Sequence, residues 1–184
     1  VYGKKTCHSL HLVLQSGSNV VLKRMNRKYT RQMFLETTQR LYDASKDFTL
    51  TTDIIVGFPG ETEEDVDETF AVMEEVLFAK VHMFPYSARP KTRAALYPNR
   101  VPPKELQRRK QRLMHLSEKQ AYRLRDRFVG RIMQVLTETS SGGCLVGHTH
   151  NFLRVKVNGH KGSPNELINV RLIENTPDGL LGQL

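Results

Sequence analysis

The 184 residues contain two cysteines, Cys7 and Cys144, no tryptophan and no long apolar run. Two thiols exclude a disulfide framework and any multi-cysteine metal site built within the chain. Each cysteine alone reads as a small apolar residue. No stretch approaches the ~20 apolar residues that span a bilayer. The opening Val-Tyr-Gly-Lys-Lys-Thr-Cys does not read as a signal peptide. The chain opens on Val rather than Met, which reads as a fragment or an unusual start. Hydrophobic residues make up 39% of the chain, enough for a core and too many for a disordered tail. The length suits one large domain or two small ones.

The net charge of +9 is unevenly spread. Residues 61–79 hold eight acidic and no basic side chains, whereas residues 80–100 hold five basic and none acidic. Residues 101–131 hold ten basic against three acidic, and the remaining tail balances at four against four. A basic stretch beside a small β domain suggests a polyanionic partner, RNA or DNA first. A solvated helix face is the alternative reading of the same charge.

Alternation at Leu10, Leu12 and Leu14 predicts a strand ending near Gln15. Asn19 can cap a helix opened by Val20, Val21, Leu22 and Met25, and Thr30 a second one carrying Phe34, Leu35, Thr38, Leu41 and Tyr42. The β-branched, apolar run from Thr52 to Phe58 reads as a parallel strand buried on both faces, stopping at Pro59-Gly60. Thr62-Glu63-Glu64-Asp65 is a capping box that opens a helix with Val66, Phe70, Met73 and Leu77 on one face. On that reading the acidic segment is an outer helix with no functional role. Lys80–Phe84 is a third strand, and Pro103 starts a helix of ~25 residues closed by Gly130. Leu106, Leu113, Leu116, Leu124 and Phe128 line one side of it, with Arg108, Arg109, Lys110, Arg112, Lys119, Arg123, Arg125 and Arg127 elsewhere.

Beyond Gly130 the texture changes to five short strands, near 132–136, 144–147, 153–157, 167–173 and 180–184. They are separated by Ser-Ser-Gly-Gly, Asn158-Gly159, Gly162-Ser163-Pro164 and Pro177-Asp178-Gly179. That pattern suggests a small barrel of the oligonucleotide-binding kind. The fold expected is α/β: three β/α units over residues 1–130, then a five-stranded β barrel over 131–184.

In a parallel α/β sheet or barrel, ligands bind at the carboxyl ends of the strands. Three such ends are predicted: Gln15-Ser16-Gly17-Ser18, Gly57-Phe58-Pro59-Gly60-Glu61 and Phe84-Pro85-Tyr86-Ser87-Ala88-Arg89. The first offers an amide and two hydroxyls, and the second backbone amides and Glu61 at a helix start. The third gathers two hydroxyls and Arg89, suited to clamp a carboxylate or phosphate. Capping serines and Pro-Gly turns are also ordinary loop chemistry. Asp53, inside an apolar strand, is more specific, because a buried carboxylate must be paired or hydrogen-bonded. It is either a structural cap or a ligand contact, and we read it as a contact. His8 and His11 flank a strand start, and His148 and His150 lie two apart in a barrel loop, without metal-ligand spacing.

Together these segments resemble the radical-SAM methylthiotransferases. The resemblance rests on Leu14-Gln15-Ser16-Gly17-Ser18, Leu22-Lys23-Arg24-Met25-Asn26-Arg27-Lys28-Tyr29-Thr30, the run from Thr51 to Thr62, and Phe84-Pro85-Tyr86-Ser87-x-Arg89, in family order and spacing. The tail resembles the RNA-binding TRAM domain through Gly147-His148-Thr149-x-Asn151-Phe152-x-Arg154-Val155 and Gly182. Asn26–Thr30, the Thr-Thr-Asp opening and Phe-Pro-Tyr-Ser look most like the branch acting on N6-threonylcarbamoyladenosine. That branch adds a methylthio group at C2 of the adenosine beside the tRNA anticodon. Sister branches modify isopentenyladenosine or a ribosomal-protein aspartate.

The resemblance implies a six-unit open barrel in a cytoplasmic enzyme, with S-adenosylmethionine and two 4Fe-4S clusters as cofactors and tRNA as partner. By motif, Gln15, Ser16, Ser18, Asp53, Gly57, Glu61 and Arg89 would line the S-adenosylmethionine cavity. Tyr29, Arg93, Thr149, Asn151 and Arg154 would face RNA. The family's Cys-x3-Cys-x2-Cys cluster motif is absent, as is its amino-terminal domain, so this chain supplies no metal ligand and no catalytic residue. Cys7 matches a cysteine of the threonylcarbamoyl branch that is not a cluster ligand. The chain then reads as a carboxy-terminal half, starting before strand four of six. It is expected to be inactive and poorly soluble by itself, or to persist as a non-catalytic RNA-binding remnant. Lys91 stands where the family has Gly in Arg-Pro-Gly-Thr, which predicts a differently shaped loop.

Overall fold

A computed structural model describes residues 6–141, 143–158 and 162–184. The opening residues 1–5 and Gly142 and Gly159, which the sequence places in turns, lie outside the described residues. The chain folds as a three-stranded parallel sheet with helices, followed by a closed five-stranded barrel, which is the α/β class expected.

Strand β1 (Ser9–His11) pairs with β2 (Thr49–Val56), which pairs with β3 (Phe78–Pro85). β1 is shorter than predicted. Its regular ladder stops at His11 because the Leu14 N–H donates to the Thr52 hydroxyl (2.9 Å) rather than to a carbonyl. Pairing resumes as a single bridge between Gln15 and Ile54. β2 also departs from expectation, since it is not buried on both faces. Leu50, Thr52, Ile54 and Val56 are buried, while Thr51, Asp53 and Ile55 alternate onto a half-open face.

Helix α1 (Asn19–Arg24) has Ser18, not Asn19, at its N-cap position. Asn19 is the first helical residue, and its side-chain carbonyl accepts from the Arg31 N–H (2.8 Å). That bond ties α1 to the start of α2 (Arg31–Ala44), which Thr30 caps as expected by accepting from Met33. Helix α3 (Glu63–Glu75) opens with the full Thr62–Asp65 capping box. Helix α4 (Pro103–Asp126) carries proline in its first turn, where no backbone hydrogen bond is lost.

The barrel runs β4 (Ile132–Ser141), β5 (Cys144–Thr149), β6 (Arg154–Asn158), β7 (Leu167–Thr176) and β8 (Gly179–Gln183). Its spatial order is β4-β5-β6-β8-β7, closed, which removes the strand edges that invite aggregation. Val155, Val157, Val170, Leu172 and Leu180 fill the interior, joined by Leu124 and Phe128 from the end of α4. The same helix sends Leu113 into the core of the sheet, with Phe34, Leu50, Ile54 and Phe78. α4 therefore belongs to both cores.

Part of the charge of α4 is answered within the chain, where the sequence suggested a polyanion or solvent. Arg108, Arg109 and Arg112 pair with Glu61, Glu63 and Asp67 at the start of α3. Arg125 donates to Asn175 and the Thr176 carbonyl, and Arg127 to the Lys46 carbonyl. Glu61, Glu63 and Asp67 are thus counter-charges of α4, and the other acids of the segment carry no ion pair to that helix among the described residues.

Candidate functional site

A cavity of about 920 Å3 opens at the carboxyl ends of β2 and β3. Gln15, Asp53, Ile55, Phe58, Tyr86 and Arg89 line it, together with Arg24, Arg27, Arg93 and Tyr97. Alternation along β2 puts Asp53 and Ile55 on this face. Aromatic rings form one wall: Phe58 meets Tyr86 and Tyr97 edge-on, with ring centroids 5.2 and 6.2 Å apart. The Tyr86 hydroxyl is buried without a hydrogen-bond partner among the described residues. Such a group is costly unless a ligand or water completes it.

Gln15 holds a backbone conformation that most residues avoid, with φ 63°. Its N–H donates to the Asp53 carbonyl (2.8 Å), its carbonyl accepts from Ile55 (2.9 Å), and Arg27 donates to its side-chain oxygen (2.9 Å). The residue is locked with its amide at the cavity wall. Asp53 is not buried as the sequence suggested. Its side chain is 29% exposed and lies 3.5 Å from the His11 ring, on the half-open face of β2.

The four other residues expected in this cavity lie outside its lining. The Ser18 hydroxyl donates to Asp65, and the Ser16 hydroxyl lies 3.5 Å from that of Thr69. Gly17 sits against α3, its N–H donating to Thr69 (2.9 Å), and a β-carbon there would stand 2.5 Å from the Glu68 carbonyl oxygen. Gly57 has φ 78°, a left-handed turn that lets its N–H reach the Glu61 carboxylate (2.9 Å). Glu61 is buried and meets the Arg109 guanidinium at 3.0 Å. Burial holds its carboxyl above the ordinary value of 4.5, opposed by the Gly57 N–H and by Arg109. These four residues brace the cavity from behind.

Arg89 and Arg93 are exposed at the mouth, and neither guanidinium has a hydrogen bond or ion pair among the described residues. Arg93, expected to face RNA, lines this cavity beside Arg89. Between them Lys91 adopts φ 66°, the left-handed backbone shape in which glycine is favoured.

The other residues expected to face RNA divide sharply. Tyr29 is half-buried and its hydroxyl donates to the Leu14 carbonyl (3.1 Å); burial pushes its phenol pKa above 10.0. Thr149 and Asn151 are buried, which corrects their placement on an RNA surface. Thr149 donates to the Asn151 side chain, which in turn donates to the Asp47 carbonyl (2.9 Å), fastening the barrel to the sheet. Arg154 is exposed and donates to the Asp178 carbonyl (3.3 Å).

Two residues escaped sequence reasoning. Arg109 resembled seven other cations on its helix, and only Glu105 four residues earlier hinted at a pair. Asp47, which binds Arg131 bidentately and receives Asn151, had no local signal.

The sequence is similar to proteins of one kind. A model of the Radical SAM superfamily matches residues 2–73. Over 98% of its length the chain is 39% identical to threonylcarbamoyladenosine tRNA methylthiotransferase MtaB of Chlamydia pneumoniae, covering 43% of that relative. It is 41% identical to the tRNA-2-methylthio-N(6)-dimethylallyladenosine synthase of Geotalea uraniireducens over 98% of the chain and 41% of the relative. The chain belongs to the radical-SAM methylthiotransferase family. A synthase of the second name from Thermobifida fusca is 47% identical over 133 residues. The chain spans about two fifths of the length of the first two relatives.

Family membership implies S-adenosylmethionine and iron–sulfur clusters, and the residues present divide on the two. The cavity suits the first: aromatic rings for an adenine, Asp53 for an ammonium, and an unsatisfied Tyr86 hydroxyl. For a cluster the fit fails. Among the described residues no three His, Cys, Asp or Glu side chains are grouped to hold a metal ion, and two cysteines cannot supply three thiolates.

Proposed function

We propose that this chain forms part of a tRNA methylthiotransferase that converts N6-threonylcarbamoyladenosine beside the anticodon to its 2-methylthio derivative. On this reading residues 1–130 are half of the radical-SAM barrel and residues 131–184 the TRAM domain that holds tRNA. One observation carries the choice of substrate. Among the described residues, the cavity presents Arg89 and Arg93 unpaired, with Asp53 the only acid in its lining. Threonylcarbamoyladenosine carries a carboxylate that a guanidinium binds bidentately, whereas an isopentenyl group is apolar and offers it nothing.

Bound S-adenosylmethionine supplies a methyl group and, with a reduced cluster, a radical. Gln15 and Asp53 would orient it, and Arg89 and Arg93 would seat the carboxylate of the nucleoside. No step through the cluster is derived from this chain, and we infer that the chain alone does not carry out the reaction. The complete protein requires the further residues that bind its clusters.

The test is the nucleoside content of tRNA from cells lacking the complete gene, read by mass spectrometry. Loss of the 2-methylthio group from threonylcarbamoyladenosine alone is expected. Its loss from isopentenyladenosine instead would reject the assignment. In binding titrations, Arg93→Ala should weaken the chain's affinity for threonylcarbamoyladenosine about ten-fold, the scale of one charge-assisted contact. Isopentenyladenosine should bind both forms equally.

A further inference from the structure

The buried positions of Thr149 and Asn151 leave open which residues of the barrel meet RNA, and an exposed aromatic pair answers it. Phe152 is 61% exposed and stacks face to face on His148, ring centroids 4.5 Å apart and planes 11° from parallel. Its backbone is left-handed, φ 63°, and its N–H donates to the Thr149 carbonyl (2.8 Å). The turn thus holds a large apolar ring outside the core, its inner face against His148. His148 is itself fixed by Glu138 at 2.9 Å.

A row of outward side chains crosses four strands at this height. Leu167 on β7 pairs with Leu136 on β4, Leu136 with His148 on β5, and His148 with Arg154 on β6. Leu167 and Leu136 are 63% and 42% exposed, so the stack continues into an apolar strip. At the other end the exposed cations Arg154 and Lys156 follow along β6. An aromatic platform with cations on one flank matches an unstacked nucleobase whose phosphates lie to one side.

We propose that the Phe152–His148 stack is a docking platform for an unpaired base of RNA, with Arg154 and Lys156 holding the adjoining phosphates. The proposal rests on the reading of residues 131–184 as an RNA-binding domain and names the surface that domain uses. Any base has a π face, so the platform selects unpaired over paired RNA rather than one sequence.

The chain has no tryptophan, so Phe152→Trp places a single fluorophore at the platform. An anticodon stem-loop RNA, whose loop supplies unpaired bases, should quench it, and the same strand annealed to its complement should not. Phe152→Ala should weaken stem-loop binding about ten-fold, as expected for one lost base–aromatic stack, without changing the salt dependence. Arg154→Gln should lower the slope of log K against log salt by about one. Should Phe152→Ala lose its fold, the quench in Phe152→Trp decides alone. Wild-type binding with no quench, or equal quench by the duplex, overturns the platform and leaves RNA binding standing. No binding of the wild-type chain to the stem-loop at low salt overturns both.

Discussion

At the mouth of the cavity Arg89 and Arg93 face solvent without partners among the described residues, while at the end of β5 and in the turn after it the side chains of Thr149 and Asn151 are hydrogen-bonded. Both sets sit in motifs that look functional in the sequence. The difference is one of surroundings. The turn is pressed against the loop at Asp47 of the sheet, so an unbonded amide there would cost its full desolvation. In the third strand-end loop the guanidiniums of Arg89 and Arg93 stay exposed and available. Side chains of the helices hold the first two strand ends, Thr69 and Asp65 of α3 at the first and Arg109 of α4 at the second.

The sharpest way to break this contrast is to remove a side chain that braces a loop. Arg109→Ala leaves the Glu61 carboxylate buried and unpaired and should destabilise the chain by about 3–5 kcal/mol. Urea unfolding measures it, and a loss below about 1 kcal/mol would show that Glu61 reaches water. Adding Glu61→Gln should recover most of the stability, because no charge then remains to be paired.

A smaller effect belongs to the join between the two units. Asn151→Ala removes a buried amide that donates to the Asp47 carbonyl and accepts from Thr149, and should cost about 1–3 kcal/mol. Arg89→Ala, at an exposed and unpartnered site, should leave the midpoint unchanged. Equal losses in both would erase the contrast drawn here.

The smallest effect is electrostatic. The bidentate hydrogen bonds from Arg131 hold the Asp47 carboxyl below its ordinary value of 3.8. A carboxyl lowered on folding stabilises the folded state fully above its unfolded value, and the contribution fades as pH falls through the folded one. Stability should therefore dip below about pH 4 in the wild type, and Asp47→Asn should flatten that limb. An identical acid limb in both proteins would remove Asp47 from the join.

Much of the fold was legible because its signals are local. Thr30 and the Thr62–Asp65 box cap helices using residues three apart, and turn residues set off all five barrel strands. The errors arose where a side chain replaced backbone. Thr52 took the Leu14 N–H and shortened β1, and Ser18 took the cap position from Asn19 while its own hydroxyl went to Asp65. In the site, Gln15, Asp53 and Arg89 stand in the cavity, whereas Ser16, Ser18, Gly57 and Glu61 stand behind it. Motif order shows that a loop matters but not which way its side chains turn.

The sequence by itself determined the element order, the scarcity of thiols, the segregation of charge and the family. Each depends on identity or on spacing within a few residues. Only the tertiary structure decided that Glu63 and Asp67 of α3 answer arginines of α4, and that Thr149 and Asn151 bind the sheet rather than a ligand. It also decided that Phe152, not those two residues, presents itself to solvent. Those pairings join residues some 40 to 100 positions apart, as Arg109 to Glu61 and Asn151 to Asp47 show. Whether a polar group is available depends on what packs against it, and packing is settled only when the chain has closed on itself.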